Sequence, residues 1–417
     1  MNFSSRFLRL AGALALFAWT AAPSARAQEE RNYIMQTAPY PIFFNPEPAQ
    51  YNLKWGKLTG RFHASIGTEL NDNLNLSQHH GEFDASFAPN VAVGFLWPIS
   101  QKNNLQFELG VGYRFYVNHP QLDSLIISPN SRLDYRLFLE KIQITLHDNF
   151  FVQVDPTDRP DINGKSSTIL FRRFNNTAGF IAEWKPRQHL GVYGGYDYSI
   201  DRSMADTFAS LDHTTHTFSL GANYQLSPSL TAGLNASYAL TTYSEPIQND
   251  NESYRVGPYF TLKLSKFLSL DGAVGYSVSH FRHTGSLNDT SDFRGPVFEA
   301  GLRHIINSRL SHGLRMSRSH ELGFGSNFND LFSLQYDLQA RMSSSIHVNT
   351  KVVYENFQTS GLAGEKAQRV LVYLGSGYQL TRRWNFAVAY GFALKDSNLP
   401  DNGYLQNRLT LDFSRQF

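Results

Sequence analysis

The sequence predicts an all-β fold, a transmembrane antiparallel up-and-down β-barrel of about 18 strands, with 16 as the alternative count. Aromatic residues make up 14% of the chain, with 32 Phe and 21 Tyr, although the mean hydropathy is negative. Apolar and polar residues alternate almost continuously from about residue 58 onward. This combination is typical of outer-membrane barrels, in which lipid-facing and lumen-facing residues take turns along each strand.

The first 27 residues predict a cleaved signal peptide. Arg6 and Arg9 precede an apolar run over residues 10–22, and Ala25 and Ala27 are the small residues that a signal peptidase requires. A spanning helix needs about 20 apolar residues, so an uncleaved anchor is the less favoured alternative.

The mature chain divides into two predicted parts. Residues 28–57 include the proline-rich stretch TAPYPIFFNPEPAQY, fit no strand and are assigned to a short periplasmic segment. Residues 58–417 are assigned to the barrel, whose alternation is clear in NLQFELGVGYRFYVN. One face of that stretch carries Leu105, Phe107, Leu109, Val111, Tyr113, Phe115 and Val117. A helix would distribute a period of two around its axis, so the pattern indicates a strand with two different solvents.

Short polar breaks predict tight turns at one end of the barrel. Three of them, in YQLSPSL, LKLSKFL and YQLTRRW, share the plan apolar-x-Leu-(Ser/Thr)-x-x-apolar. Breaks near residues 98–104, Glu140, Pro186, Pro228, Lys266, Ser308, Ser343 and Arg382 recur about every 40 residues. Each period holds two strands of about 11 to 14 residues, which suits a tilted membrane crossing better than the four short strands of a propeller blade.

Nine longer polar breaks separate the same strands at the other end, which implies about 18 strands. An even count puts both chain ends on the periplasmic side, with short turns there and long loops outside. Predicted partners are therefore outer-membrane lipids and the barrel-assembly machinery, and the predicted location is the cell outer membrane.

Charge and cysteine content exclude several functions. Three of the 37 Lys and Arg residues leave with the signal peptide, so 34 basic residues face 35 acidic ones and the mature net charge is near minus one. Nothing in this balance suggests a nucleic-acid partner. The absence of Cys removes disulfide frameworks and thiol catalysis.

The stretch LQNRLTLDFSRQF predicts a final amphipathic strand that closes the barrel. Leu409, Leu411, Phe413 and Phe417 on its apolar face match the assembly signal expected of outer-membrane barrels. Arg415 departs from this pattern, but long cations are tolerated near the membrane interface.

The stretch HASIGTELNDNLNLS places Asp72-Asn73-Leu74 directly after an amphipathic strand. With the tyrosine-rich hairpins and Phe417, it resembles the outer-membrane β-barrel porin family whose members are often linked to exopolysaccharide export operons. The resemblance implies a channel-like barrel, with polysaccharide-export components as partners and no catalytic residues. The Asp-Asn element alone is equally compatible with an Asx turn that closes a hairpin.

Alternation assigns many charged residues of both signs to the lumen. The pore-lining candidates are Glu108, Arg114, Arg136, Arg255, Glu299, Arg303, Arg315, Asp337 and Arg341. They can tune which solutes pass, or alternatively pair with neighbours and stiffen the wall.

Catalytic and metal motifs are not found, so we expect no enzyme activity, no cofactor and no metal site. Two alternatives of low weight concern histidines. The first is a shared metal ion, for which three histidine pairs have suitable spacing: His79 with His80, His213 with His216, and His280 with His283. The second is a lipid hydrolase, which would need a Ser beside a His on the lipid-facing wall, and His312 on the apolar face has serines nearby.

The favoured function is a passive porin-like channel for small polar solutes or one linked to exopolysaccharide export. The alternative is a structural or adhesive barrel whose loops bind a surface partner. Solute, pore size and oligomeric state do not follow from the sequence.

Overall fold

The computed structural model describes residues 53–128, 130–153, 172–361 and 364–417. The predicted signal peptide, most of the predicted N-terminal segment and residues 154–171, which contain the predicted loop DPTDRPDINGKSS, lie outside the described residues. The strands are β1 Leu53–Trp55, β2 Leu58–Asn71, β3 Asp84–Trp97, β4 Asn103–Tyr116, β5 Ser124–Ile127, β6 Arg132–Leu139, β7 Ile142–Gln153, β8 Arg173–Arg187, β9 Leu190–Ser203, β10 His213–Ser227, β11 Leu230–Tyr243, β12 Asn251–Lys263, β13 Leu268–Phe281, β14 Phe293–Asn307, β15 Leu310–Leu322, β16 Phe328–Arg341, β17 Ile346–Thr359, β18 Lys366–Gln379, β19 Trp384–Ser397 and β20 Tyr404–Gln416.

These strands form one closed antiparallel barrel. Each wall strand pairs with the next along the chain, and β2 pairs with β20 from His63 opposite Gln416 to Asn71 opposite Arg408. Both β5 and β6 lie between β4 and β7, so they share one position in the wall. The wall therefore has 18 strand positions, and the predicted fold class and strand count are confirmed.

The expectation that residues 28–57 contain no strand is wrong at their C-terminal end. There β1 pairs with β2, with Leu53 opposite Gly60. Since β20 pairs with β2 only from His63 onward, the edge of β2 at its first residues would otherwise have unpaired backbone groups, and β1 covers it.

Eight short connections between wall strands lie at one end of the barrel, here called the turn end. In the three copies of the repeated turn motif, the hydroxyl oxygen accepts hydrogen bonds of 3.0–3.2 Å from the backbone N–H groups two and three residues later. These hydroxyls belong to Ser227, Ser265 and Thr381. The Ser or Thr of the motif therefore folds the turn locally. The turn predicted at Pro186 lies slightly later, at residues 188–189, because Pro186 sits in a bulge near the end of β8.

The two faces of the wall differ as the alternation predicts. In β4 the side chains of Val111, Tyr113 and Phe115 are 37–47% exposed on the outside, whereas Gln106 and Tyr116 on the other face are buried. Among the described residues helical structure is confined to two short 3₁₀ segments, Pro120–Leu122 and Asp206–Leu211, and no helix capable of crossing a membrane is found.

Candidate functional site

The lumen face of β2 to β6 carries a belt of alternating charges. Arg61 lies 2.9 Å from Glu108, and Arg132 lies 3.5 Å from the same carboxylate. Asp134 in turn accepts contacts from Arg132 at 3.8 Å and Arg136 at 3.4 Å. Because Arg61 and Glu108 belong to strands separated by β3, these side chains must extend along the inner surface of the barrel.

The belt continues on β7 and β9 through a histidine. The His147 Nε2 atom lies 2.7 Å from Asp197, and His147 is directly opposite Asp134 in the ladder. The paired side chains therefore extend from β2 to β9, over seven of the 18 strand positions of the inner face. Such pairs in a wet interior stiffen the wall and keep the local potential mixed.

A second charge cluster is buried on the inner face of β17 to β19. Arg369 bonds Glu355 at 2.6 Å, and Lys395 bonds Glu365 at 2.8 Å. All four residues are 6% exposed or less. The Lys395 ammonium also lies 5.6 Å from the centre of the Phe357 ring. Charges buried to this degree are tolerated only because each has a partner.

Between these charged regions, β10 and β11 form an uncharged sector. Residues 213–243 contain no Asp, Glu, Lys or Arg. The lumen-facing positions carry mainly hydroxyl, amide and glycine residues, namely His213, Thr215, Thr217, Ser219, Gly221, Asn223, Gln225, Thr231, Gly233, Asn235, Ser237, Ala239, Thr241 and Tyr243. The hydroxyls of Thr215 and Thr241 are 3.0 Å apart across the two strands.

The nine pore-lining candidates all occupy the inner register, namely Glu108, Arg114, Arg136, Arg255, Glu299, Arg303, Arg315, Asp337 and Arg341. Glu299 and Arg315 come together at 3.2 Å, and Glu108 joins Arg136 through the belt. Of the other candidates, Arg114 lies on β4, Arg255 on β12, Arg303 on β14, and Asp337 and Arg341 on β16. That they line a conducting pore stays a prediction.

Sequence reasoning did not single out the buried Glu365 or the half-buried His147. Glu365 precedes β18 and so falls outside any alternating pattern, whereas His147 is one of several polar residues on the inner face of β7 and has no further signal.

A polar network joins four loops at the opposite end of the barrel, here called the loop end. The Asn327 N–H donates to Asp289 at 2.8 Å, and the Asn327 amide accepts from Asn249 at 2.9 Å. The Ser360 hydroxyl donates to the same Asp289 carboxylate at 2.5 Å. Burial alone would raise the pKa of Asp289, but the hydrogen bonds from Ser360, Asn327 and Ser291 outweigh it and lower that pKa below its usual value. The carboxylate therefore stays ionised and tightly bonded.

The Asp72-Asn73-Leu74 element fastens the seam where the barrel closes. The Asp72 carboxylate accepts two bonds of 2.6 Å from the backbone and side-chain N–H groups of Asn407 in β20. The Asn73 amide donates to the Leu405 carbonyl at 2.8 Å. An Asx turn also occurs, but its side chain is that of Asn71, which accepts from the Asn73 N–H at 3.0 Å.

The histidine alternatives receive no geometric support. His213 and His216 lie on opposite faces of β10 because they are an odd number of residues apart in a strand. His280 pairs with Asp292 at 2.8 Å, and no group of three metal-ligating side chains is found in the described residues. His312 does lie on the outer face, where its Nε2 atom is 3.1 Å from the Nδ1 atom of His304.

Three of the predicted assembly-signal residues sit on the outer face of β20, and Phe417 directly follows that strand. Leu409, Leu411 and Phe413 are exposed there, and the Phe417 N–H donates to the Phe62 carbonyl at 3.1 Å. The Arg415 guanidinium lies 4.4 Å from the centre of the Phe417 ring, so an aromatic face covers the positive charge of Arg415.

Comparison with known proteins agrees with this architecture. Residues 192–316, which are 125 of the 417 residues, match the family described as autotransporter beta-domain. No curated protein matches the chain.

Several solved structures are similar to this chain over most of its length. Pseudomonas aeruginosa OpdQ is 10% identical with a TM-score of 0.50, over 86% of this chain and 98% of that one. The outer membrane protein opdK from the same organism is 10% identical with a TM-score of 0.47, over 86% and 99% of the two chains. Acinetobacter baumannii OccAB3 is 13% identical with a TM-score of 0.47 over the same shares. At these identities the likeness to OpdQ supports the barrel fold alone.

Proposed function

We propose that this protein is a passive outer-membrane channel for small polar solutes. The observation that carries the proposal is the contrast between the two faces of a closed 18-position wall. Large apolar side chains are exposed around the outside, whereas the inner face carries paired charges and hydroxyls. Since β-barrels span membranes with an apolar exterior and a polar interior, this arrangement suits a water-filled path.

The membrane partners follow from the same contrast. The outer aromatic and aliphatic side chains would contact outer-membrane lipids, and Leu409, Leu411, Phe413 and Phe417 would be read by the barrel-assembly machinery after export by a cleaved signal peptide. The short turns would then lie in the periplasm and the long loops outside the cell.

The finer proposal is that the solutes include neutral saccharides, which would fit a role beside exopolysaccharide export. Its support is the uncharged sector of β10 and β11, where hydroxyl and amide groups can exchange hydrogen bonds with sugar hydroxyls without displacing bound ions.

Planar-bilayer recording of the purified barrel tests the channel. We expect discrete conductance steps, and we expect Arg303→Glu on the inner face to shift the reversal potential towards cation preference. Arg294→Glu is the matched control, because Arg294 is on the same strand but points outward. A folded, inserted barrel that never conducts would instead favour the structural or adhesive alternative.

Liposome swelling tests the saccharide proposal. Replacing Thr217 and Ser237 with Val and Ala removes two hydroxyls from the uncharged sector and should slow the entry of neutral sugars more than that of sugar acids of equal size. Thr214→Val on the outer face is the control and should change neither rate. Equal slowing of both solute types would contradict the saccharide proposal.

A further inference from the structure

The ladder between β14 and β15 is incomplete at the loop end. Pairing runs from Asn307 opposite Leu310 to Phe298 opposite Arg318 and then stops. Yet β14 stays paired with β13 as far as Phe293, and β15 stays paired with β16 as far as Leu322. The two strands therefore separate at this end. Residues 293–297 of β14 do not pair with residues 319–322 of β15, although both segments remain β-strand.

Side-chain contacts show the position of the β15–β16 hairpin tip, residues 319–328. His320 and Phe328 belong to the outer register of their strands. Nevertheless the His320 Nε2 atom is 2.7 Å from the Ser279 hydroxyl, and the rings of His320 and Phe328 lie 4.2 and 5.4 Å from the ring of Phe293. Ser279 and Phe293 face the lumen.

The tip therefore lies inside the barrel. The face of the tip that the strand register assigns to the outside packs on the inner face of β13 and β14. The burial of that inner face agrees, since Ser277 and Ser279 are 1% exposed and Phe281 and Phe293 are 6% and 4% exposed. In an open lumen these positions would be wet.

Contacts with neighbouring loops hold the tip in this position. The Asn327 side chain donates to the carbonyls of Asp289 at 3.0 Å and Ser291 at 2.9 Å, in addition to the bonds described above. The Phe324 ring approaches Phe208 of the β9–β10 loop at 6.5 Å. The tip is thus bonded across the mouth of the barrel.

The turn at the tip contains two glycines whose positions favour the absence of a side chain. Gly325 has a φ of +66°, a conformation that glycine adopts without strain. Gly323 is packed so closely that an added Cβ would meet the Ser326 hydroxyl.

We propose that the β15–β16 hairpin tip is a gate with two packed positions. In the inward position its apolar face covers β13 and β14. In the outward position the β14–β15 ladder would continue in the existing register, with Val297 opposite Ser319 and Gly295 opposite Glu321. Backbone groups of β14 and β15 that are not paired with each other in the inward position would then pair in the outward one.

The register also explains why the outward position does not dominate. Pro296 would stand opposite His320, and proline has no N–H to donate to the ladder. The tip loses one potential hydrogen bond on moving outward, whereas inward it keeps the Asn327 bonds and the aromatic contacts.

A disulfide trap tests the movement directly, because the chain has no native cysteine. The pair Val297→Cys with Ser319→Cys can close only when the tip reaches the outward position. The control pair, Ala300→Cys with Met316→Cys, lies in the intact part of the same ladder. Under a mild oxidant we expect the control pair to form its disulfide at once and the gate pair to form its disulfide more slowly but completely. Proteolysis between the two sites, followed by gel electrophoresis of the unfolded chain, measures the fraction of each disulfide that has formed.

Conductance is the second measurement, and its expected outcome rests on the proposed channel function. Closure of the gate pair should hold the channel in its more conducting state, while closure of the control should leave the conductance unchanged. Asn327→Ala removes the side-chain bonds from the tip to the β11–β12 and β13–β14 loops. It should raise the open probability about tenfold, the effect of losing one net buried hydrogen bond.

The outcomes separate the two proposals. Failure of the gate pair to close, with normal closure of the control, would overturn the gate even if the barrel conducts. Closure of the gate pair without any change in conductance in a conducting barrel would also overturn it. Closure with no conductance in any variant would leave the movement established and overturn the channel.

Discussion

The two ends of the barrel are built differently. At the turn end each hairpin folds with bonds to itself, as when the Ser265 hydroxyl accepts from the N–H groups of Phe267 and Leu268. At the loop end the bonds reach across the mouth, as from Asn249 to Asn327, which are 78 residues apart. The turn end is therefore specified by short segments, whereas the loop end depends on several loops being in place together.

This difference locates the part of the molecule that can move. A local turn has one arrangement, because its few residues fix its hydrogen bonds. A mouth assembled from distant loops can exchange one set of partners for another without unfolding the wall. The incomplete β14–β15 ladder lies at the loop end, as this reasoning expects.

The largest expected effect is at the buried charge pair near the loop end. Glu355→Ala leaves the Arg369 guanidinium buried without its carboxylate and should lower the free energy of unfolding by about 3 to 5 kcal/mol. Glu108→Ala in the more exposed belt, near the middle of β4, should cost about 1 kcal/mol or less. Denaturant titration of barrels in vesicles measures both, and equal losses would contradict the difference in burial.

The wall between the two ends should respond to a charge on its outer face. Leu109→Arg places a guanidinium towards lipid and should cost about 2 to 4 kcal/mol near the midplane. Glu108→Gln on the adjacent inner position keeps the side-chain shape and should be nearly silent for folding. If both variants insert and unfold alike, the assigned faces are wrong.

A smaller effect is expected at the seam. Asp72→Ala removes the acceptor of two N–H groups of Asn407 and should cost about 1 to 3 kcal/mol. Hydrogen exchange should rise at the loop-end part of the β2–β20 seam and stay unchanged at its turn-end part, near His63 and Gln416. Uniform exchange along the seam would show that the side chain does not act locally.

The smallest effect is expected in a single turn. Ser265→Ala should cost about 0.5 to 1.5 kcal/mol, because the turn keeps its backbone pairing and loses two weak side-chain bonds. Exchange should rise only at the β12–β13 connection. A rise at the loop end as well would mean that the two ends are coupled, contrary to the comparison.

The sequence by itself determined the barrel, the faces of its strands and the positions of its turns. A strand has a period of two, so the alternation around Leu109 assigns each side chain to a face without knowledge of its neighbours, and the hydroxyl of Ser265 folds a turn that contains it. The same rule placed Glu108 and Arg315 on the inner face.

Only the tertiary structure decided which of those residues meet. The pairing of Arg61 with Glu108 depends on the stagger of strands that are not adjacent, and the burial of Glu355 with Arg369 depends on what covers them at the loop end. The inward fold of the β15–β16 tip even reverses the face that alternation gives to His320. Local periodicity fixes the direction of a side chain relative to its own strand, but contacts between distant segments arise when the cylinder closes, and those contacts set the loop end of this protein.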